Sequence, residues 1–284
     1  MAPVVTPPVY VNAPSTPPRR YGIFNVADIL PFSDTHQHYG GLLYDAVGCG
    51  TSRGWPVVCD VEVPGTPKTF DPNTAETSVK PFSVYTSINC GSLGYSYEYL
   101  VGKVRDRLAA SEQQGVEEAF SSGALASTTL GNTPILAAGG GVTVLTAAAS
   151  LKLGVAALEE WAYDRYGYQA VIHAPMQVAA HAGANGLIRA QGNIPPTGVL
   201  QTFAGTLWSF GSGYTNTSPV GAAAAAGHAW LYVTGKVTLW QNPNVFVAPI
   251  ESALNKTTNQ FNLIAEREWA VSYDCILAAI DVTL

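Results

Sequence analysis

One long stretch of the chain carries apolar residues at helical spacing. Between Tyr95 and Phe120 the apolar face is formed by Tyr97, Leu100, Val101, Val104, Leu108, Val116 and Phe120. The opposite face is predicted to carry the charged residues Arg105, Asp106, Glu112, Glu117 and Glu118. The pattern predicts a helix over about residues 95–122, in which Gly115 costs about 1 kcal/mol relative to alanine. The Ser121-Ser122-Gly123 run is expected to end it.

A second helix and a series of strands follow. The second helix is predicted from about Leu145 to Tyr163, with Gly167 beyond it as a stop signal. A short helix is predicted from Pro175 to His181. The predicted strands are Gln169–His173, Ala229–Thr234, Val237–Gln241, Phe261–Val271 and Cys275–Leu284, the second and third forming a tight hairpin around Gly235-Lys236. These elements predict a protein of the α+β class.

The first part of the chain is rich in proline. Residues 1–20 hold six of the 19 prolines and favour an extended arm similar to polyproline. Farther on, Val57–Val63 and Ser78–Ser87 are predicted as the two strands of a long hairpin, because turn signals containing proline and glycine separate them.

Charged residues are scarce and unevenly distributed. They make up 12% of the chain, against about 25% in a typical soluble domain. From Tyr166 to Ile250 the only charged residues are Arg189 and Lys236, and the run from Ala119 to Leu151 has none. The net charge of −6 argues against a protein that binds nucleic acid by neutralising phosphates.

A surface with so little charge must be shielded from water, either by a membrane or by another protein surface. No stretch has the roughly 20 consecutive apolar residues of a membrane span. Large protein interfaces are depleted in charge and enriched in aromatic residues. The uncharged span contains the aromatic residues Trp208, Phe210, Tyr214, Trp230, Tyr232, Trp240 and Phe246. We therefore predict a large protein–protein interface, with a monomeric β-rich domain that carries Ser, Thr and Asn on its surface as the alternative.

The cysteines show no metal-binding or redox spacing. They are Cys49, Cys59, Cys90 and Cys275, and the N-terminus lacks the order of a signal peptide. We expect reduced, unpaired thiols in a protein made in the cytosol, with a disulfide between Cys49 and Cys59 as the alternative.

The run Asp34-Thr35-His36-Gln37-His38 is the sharpest enzymatic signal. Metal-dependent amidohydrolases carry a similar motif, and His173 could supply a third ligand. However, the preceding segment is short and contains Pro31, and the chain has too few helices for an eight-fold barrel. Polar loop histidines are the preferred interpretation.

Other candidate sites are weaker still. Ser212 lacks the flanking glycines of a nucleophile elbow. Cys90 has no acid–base partner that the sequence identifies, so a buried structural thiol is favoured. We predict no catalytic residue, no cofactor and no metal site, and hence no enzyme.

The order of these elements resembles that of the HK97-like major capsid proteins of tailed bacteriophages, with the likeness closest to those of actinobacterial phages. The long helix carries Glu98-x-Leu-Val-x-Lys-x-Arg-x-x-Leu-x-x-x-Glu-x-x-x-Val-Glu-Glu-x-Phe120. Three further similar stretches run from Glu159 to Pro175, from Ser218 to Trp240 and from Asn262 to Val271. The resemblance covers about residues 82–284, and each motif is degenerate, so their order carries the weight.

The resemblance implies a division of the chain into four parts. These are an N-terminal arm (1–40), an extended hairpin loop (41–82), a peripheral domain (83–141 and 249–284, with its spine helix at about 95–122) and an axial domain (142–248). Lys68 and Lys80 lie in or near the loop, but no Asn or Glu partner is identified, so the covalent crosslinks of some relatives are not predicted.

The function that the resemblance implies is assembly. The chain would form hexamers and pentamers of an icosahedral head around double-stranded DNA, located in the virion after assembly in the host cytoplasm. The implied partners are other copies of itself, a separate scaffolding protein, a portal and, where present, cement proteins; the DNA is near without specific contacts, and no membrane is involved. The alternatives are an encapsulin-like nanocompartment shell and, more remotely, a metal-dependent hydrolase that uses Asp34, His36 and His38.

Overall fold

The structure is a computed structural model that describes residues 20–34, 37, 40–45, 49–50, 76–123, 135–137, 141–191 and 198–284. His36, His38, Cys59 and Lys68 lie outside the described residues, as does the predicted strand Val57–Val63.

The described residues form five helices and fifteen strands. The helices are α1 (Ile23–Val26), α2 (Tyr97–Ser122), α3 (Leu151–Tyr163), α4 (Gln177–Ala184) and α5 (Ile250–Ala253). The strands are β1 (Asp28–Pro31), β2 (Leu42–Asp45), β3 (Glu76–Val79), β4 (Phe82–Gly91), β5 (Thr143–Val144), β6 (Val171–Pro175), β7 (Arg189–Gln191), β8 (Val199–Gln201), β9 (Leu207–Gly211), β10 (His228–Thr234), β11 (Val237–Gln241), β12 (Phe246–Val247), β13 (Leu254–Asn255), β14 (Gln260–Tyr273) and β15 (Leu277–Thr283). No helix in these ranges is long and apolar enough to cross a membrane.

The long helix α2 forms where its apolar spacing predicts it. The hydroxyl of Ser96 accepts a hydrogen bond from the backbone N–H of Tyr99 (3.2 Å) at the first turn. Gly123 ends the helix in the left-handed conformation, with φ of 70°. The helix continues through Gly115, where an added Cβ would lie 2.7 Å from a methyl group of Val84. Gly115 therefore allows α2 to pack closely on β4.

Two charged residues of α2 are placed differently from the prediction. Arg105, Asp106 and Glu118 are exposed, as expected, but Glu112 and Glu117 are buried, with 8% and 0% of their surface exposed. Their assignment to the solvent face is wrong because α2 is covered on more than one side. The first sheet covers one face, and the N-terminal segment and a loop of the second sheet contact its last turns.

The first sheet is centred on β14. Its path is β1-β11-β14-β12, and β4 and β13 also pair with β14. The prediction that Phe261–Val271 forms an alternating strand is confirmed: Phe261, Leu263 and Ala265 face the core under α2. The other face of β14 carries Asn262 and Ile264, which are exposed.

The second sheet has the order β5-β15-β10-β6-β9-β8-β7 and is covered on both faces. Leu231 and Val233 of β10 pack with α3 and α4, whereas Tyr232, on the other face, packs with the C-terminal part of α2. Strands buried on both faces take apolar residues at nearly every position. The shortage of charge between Tyr166 and Ile250 therefore has a cause within the single chain, in addition to the interface that the sequence predicts.

The predicted pairing of β10 with β11 is wrong, although both strands form. β10 pairs with β15 and β6 in the second sheet, and β11 pairs with β14 and β1 in the first. At Gly235-Lys236 the chain crosses from the second sheet to the first, and it returns between β14 and β15. The two crossings are joined by a hydrogen bond from the backbone N–H of Asp274 to the carbonyl of Lys236 (2.8 Å).

The two sheets divide the chain at residues other than the predicted domain boundaries. β11 and β12 lie within residues 142–248 but belong to the first sheet, while β15 lies within residues 249–284 but belongs to the second. Residues 21–31 fall within the predicted arm, and in this segment α1 carries the buried residues Ile23 and Val26, whereas the residues of β1 are exposed. Ile23 is fully buried, and β1 pairs in parallel with β11.

A two-stranded ribbon stands where the long hairpin is expected. β2 pairs with β3, Leu42 opposite Val79. The predicted strand Ser78–Ser87 is interrupted at Lys80-Pro81, after which β4 joins the first sheet. The base of this ribbon packs on the outer face of the first sheet through Phe32, Leu42, Val79, Trp240 and Ala270.

A disulfide joins Cys49 to Cys275. The expectation of unpaired thiols is therefore wrong for these two residues, and Cys49 is not paired with Cys59. The two cysteines are 226 residues apart in sequence and 5.9 Å apart between their Cα atoms. The tertiary fold brings them together. The backbone of Cys49 forms an isolated antiparallel β-bridge with Tyr166, and the hydroxyl of Tyr166 donates a hydrogen bond to Asp274, the residue before Cys275. Cys90 is free and half-buried in β4.

Candidate functional site at the junction of the two sheets

Glu117 lies where three parts of the chain meet, and its side chain is fully buried. Its Oε1 accepts hydrogen bonds from the backbone N–H of Ile23 (3.2 Å) and the side-chain amide of Gln113 (2.9 Å). Its Oε2 accepts one from the backbone N–H of Gly213 (3.1 Å). Because a buried carboxylate is stable only with such donors, Glu117 joins α2 to the N-terminal segment and to the loop that follows β9.

Glycines make room for this carboxylate. A Cβ at Gly211 would lie 2.5 Å from the carboxyl carbon of Glu117, and a Cβ at Gly213 would overlap the backbone oxygen of Gln114. Gly22 is similarly close to the side chain of Glu117. The N-terminal segment and the loop after β9 reach α2 only because these three residues lack side chains. The periodic pattern of the helix gives no sign of this contact.

A second polar network lies in the same junction. The two ring nitrogens of His173 are 2.9 Å from the hydroxyls of Tyr214 and Thr234. The hydroxyl of Tyr214 is also 2.7 Å from that of Ser209. Burial lowers the pKa of His173 to about 3, so the imidazole is neutral near pH 7. Burial, with a further contribution from the charge of Glu117, raises the pKa of Tyr214 and keeps its hydroxyl protonated.

Because His173 takes up a proton in the unfolded chain but not in the folded one, the free energy of unfolding is expected to fall by about 2 kcal/mol when the pH is lowered from 7 to 5. Its pKa is near 6.5 in the unfolded chain and about 3 in the folded one, so only the unfolded state gains the proton in this range. The stabilisation is complete above pH 6.5 and is lost as the pH falls toward 3. Urea unfolding at both pH values should show this loss in the wild type and in the exposed control variant His181→Gln, but not in His173→Gln. An unchanged pH dependence in His173→Gln would contradict the assignment.

A buried ion pair joins α2 to the first sheet. Nη1 of Arg267 donates to Oε1 of Glu112 (3.3 Å) and to the side-chain oxygen of Gln241 (3.2 Å). Burial raises the pKa of Glu112, and the charge of Arg267 opposes the rise. The sequence did contain a signal for this site, since Glu112 interrupts the row of every fourth residue that contains Leu108 and Val116.

The described residues do not assemble the candidate metal site. Asp34 is exposed, His36 and His38 are outside the described ranges, and both ring nitrogens of His173 face hydroxyls. In the part of the chain that the structure describes, no group of three or more His, Cys, Asp or Glu side chains could hold a metal ion. Ser212 lies in an exposed bend after β9.

The outer face of the first sheet carries exposed apolar side chains. Tyr85 and Phe246 both pair with Glu266 of β14, so the three side chains form one row on the same face. The exposed fractions of Tyr85 and Phe246 are 65% and 55%. Two exposed loops in the uncharged span also carry apolar side chains, namely Phe203 between β8 and β9, and Val220 in an alanine-rich loop. We refer to Tyr85, Phe246, Phe203 and Val220 as the apolar surface residues.

Comparison with solved structures finds similarity over nearly the whole chain. A capsid of the empty GTA particle computed with C5 symmetry has a TM-score of 0.55 at 11% identity, covering 99% of this chain and 96% of that one. The structure from Microbacterium phage Oxtober96 has a TM-score of 0.56 at 13% identity, covering 97% and 95%. The holo-SrpI encapsulin complex from Synechococcus elongatus has a TM-score of 0.54 at 12% identity, covering 97% and 93%. No protein-family model and no curated protein matches the sequence.

These similarities establish the class of fold. The chain has the HK97-like fold, which is shared by the capsid and encapsulin structures that it matches. The α+β class and the HK97-like fold predicted from the sequence are confirmed.

Proposed function

We propose that the chain is the major capsid protein of a tailed bacteriophage, which assembles into the hexamers and pentamers of an icosahedral head around double-stranded DNA. The proposal rests on similarity to capsid structures that extends over 96% or more of the chain. In this function the protein is a structural component of the virion, formed in the host cytoplasm, and it catalyses no reaction.

The apolar surface residues support an assembled state. Isolated exposed apolar side chains are common in soluble proteins. Here, however, two exposed aromatic rings share one sheet row, and the exposed loops at Phe203 and Val220 belong to a span that is almost free of charge. Exposed aromatic residues and a shortage of charge are both typical of the core of a protein–protein interface.

The folded elements also support an assignment of each part of the chain to a domain of the shell protein. We assign α2 and the first sheet to the peripheral domain, and the second sheet, including β15, with α3 and α4 to the axial domain. The ribbon β2–β3 starts the extended loop, and residues 1–19 form the arm. The partners in this proposal are other copies of the chain, a separate scaffolding protein, a portal and, where present, cement proteins. DNA is enclosed without specific contacts.

An encapsulin-like compartment is the second candidate. The similarity to the Synechococcus encapsulin, with a TM-score of 0.54, is close to that of the phage and GTA structures. Both functions require a closed shell, so they differ in what the shell encloses. Nuclease-protected DNA in particles from the native source would favour the capsid, and a co-purifying protein cargo would favour the compartment.

Electron microscopy of the purified chain is expected to show closed shells or rings of five and six subunits. The variant Tyr85→Arg should lower the yield of particles about tenfold or more, because a charge at an interface core must be desolvated in every subunit. The control variant Tyr85→Phe should assemble as the wild type does. Circular dichroism should show that both variants fold, since Tyr85 is exposed in the single chain.

A chain that stays monomeric under all conditions would contradict the assembly proposal.

Metal analysis of the same sample tests the hydrolase alternative of Asp34, His36 and His38. Less than one metal ion per chain, in protein purified without chelator, would remove that alternative.

A further inference from the structure

The Cys49–Cys275 disulfide joins two residues that are exposed in the single chain. A disulfide opens when a thiolate attacks one of its sulfur atoms, so the reaction requires access from solvent. Structural disulfides of secreted proteins resist reduction by glutathione, whereas exposed disulfides are the labile and regulatory ones. The position of this bond therefore allows its redox state to change while the chain stays folded.

Cys275 is fixed by contacts that do not depend on the disulfide. It lies between Asp274 and Ile276, which are buried. The backbone N–H of Cys275 donates to Oδ1 of Asp274 (3.1 Å), and Oδ2 of the same carboxylate accepts from the hydroxyl of Tyr166 (3.1 Å). The backbone N–H of Asp274 also donates to the carbonyl of Lys236 on the other crossing (2.8 Å). These contacts remain available when the disulfide is open.

Cys49 is held by fewer contacts. It follows β2 in the chain. In the ranges that the structure describes, its specific contacts are the disulfide and an isolated antiparallel β-bridge with Tyr166. Ordering a backbone segment costs conformational entropy, and one bridge at an exposed residue offsets little of that cost. The disulfide is therefore the main contact that holds the backbone at Cys49 close to the crossing between the sheets.

Exchange with a small thiol couple accounts for every atom and electron of the change. To close the bond, the thiolate of one cysteine attacks oxidised glutathione and releases one glutathione thiolate, which leaves a mixed disulfide. The thiolate of the second cysteine then attacks the protein sulfur of the mixed disulfide and releases the second glutathione. Two electrons pass from the protein to glutathione, and the two thiol protons of the protein go to the glutathione thiolates. Opening is the reverse reaction.

We propose that Cys49 and Cys275 form a reversible redox switch, in which reduction frees the backbone at Cys49 and leaves the crossing at Cys275 in place. In oxidising surroundings the bond closes and fixes the chain beyond β2 to the junction of the two sheets. The switch is asymmetric because the hydrogen bonds of Asp274 hold one half, whereas the disulfide holds the other. It requires only the folded chain, so it is independent of assembly into a shell.

Equilibration of the folded chain with reduced and oxidised glutathione tests the reversibility. Free thiols are then blocked with an alkylating reagent and located by mass spectrometry of peptides. An excess of reduced glutathione should leave Cys49 and Cys275 alkylated in nearly every molecule, and transfer to an excess of oxidised glutathione should restore the peptide in which they are linked. Circular dichroism should show a folded protein throughout. The control variants Cys59→Ser and Cys90→Ser should respond as the wild type does, because neither thiol belongs to the pair.

Hydrogen exchange of the same samples tests the asymmetry. Opening of the bond should raise the exchange rate of the peptide that contains Cys49 about tenfold or more, because its backbone loses its main contact. The peptide that contains Asp274 and Ile276 should change less than about twofold. The variant Cys49→Ser cannot form the bond, so it should show the fast rate in both buffers. Cys90→Ser should show the same change as the wild type.

Three results would overturn the proposal. They are a bond that stays closed in the folded chain in excess reduced glutathione, a bond that opens only when the whole chain unfolds, and an exchange rate that rises equally on both sides of the bond. Shell formation enters none of these measurements, so a failure to assemble would contradict the proposed function alone.

Discussion

Replacing Glu117 by glutamine is expected to lower the free energy of unfolding by about 2–4 kcal/mol. The carboxylate accepts hydrogen bonds from the backbone N–H groups of Ile23 and Gly213 on its two oxygens. In glutamine one of these oxygens becomes an NH₂ group, which would face an N–H donor and leave both without an acceptor. For a chain of this size the loss corresponds to a fall in Tm of roughly 3–7 °C, which differential scanning fluorimetry can measure.

The neighbouring Glu118→Gln variant is the matched control, because it makes the same chemical change at an exposed position of α2. Its Tm should stay within about 1–2 °C of the wild type. Glu117→Gln should also be cut faster by trypsin after Arg20, since the backbone of Ile23 loses its anchor. Equal Tm values for the two variants would show that Glu117 does not hold the junction together.

Removal of the Cys49–Cys275 disulfide is expected to lower the free energy of unfolding of the oxidised protein by about 2–5 kcal/mol. The crosslink closes a loop of 226 residues, so it removes many conformations of the unfolded chain. The double variant Cys49→Ser/Cys275→Ser should therefore melt earlier than the wild type. Adding a reducing agent should lower the Tm of the wild type toward that of the variant and leave the variant unchanged.

Cys90→Ser is the control, because Cys90 is a free thiol that packs against the core of the first sheet. It should keep the sensitivity of the wild type to reduction. Peptide mapping without reduction should recover a peptide that contains Cys49 linked to one that contains Cys275. A map that shows both as free thiols in air-oxidised protein, or a Tm that is indifferent to reduction, would contradict the disulfide.

These two contacts have a common role in the fold. Glu117 holds the N-terminal segment against α2, and the disulfide holds the start of the extended loop against the crossing between the sheets. In the proposed capsid function, the arm and the loop are the parts that reach other subunits. Their points of departure are therefore set by long-range contacts within the single chain, before any partner binds.

Local spacing was sufficient to predict the main helices and most strands. The apolar row of α2, its end at Gly123 and the alternation along β14 are confirmed because each depends on one buried face. The helix α3 ends at Tyr163 as predicted, but it begins at Leu151, where Ser150 caps the first turn, and not at Leu145. The order of the elements was sufficient to indicate the HK97-like fold.

The sequence by itself determined the class of fold, the elements and the unusual charge map, since these follow from periodicity and composition. Only the tertiary structure decided that β10 and β11 separate into two sheets, that Glu117 is buried, and that Cys49 joins Cys275. The physical reason is the sequence separation over which each kind of interaction acts. Propensity and periodicity act over a few residues, whereas strand partners, buried charges and disulfides depend on segments that lie from tens of residues to more than two hundred residues apart in sequence and meet only when the core packs.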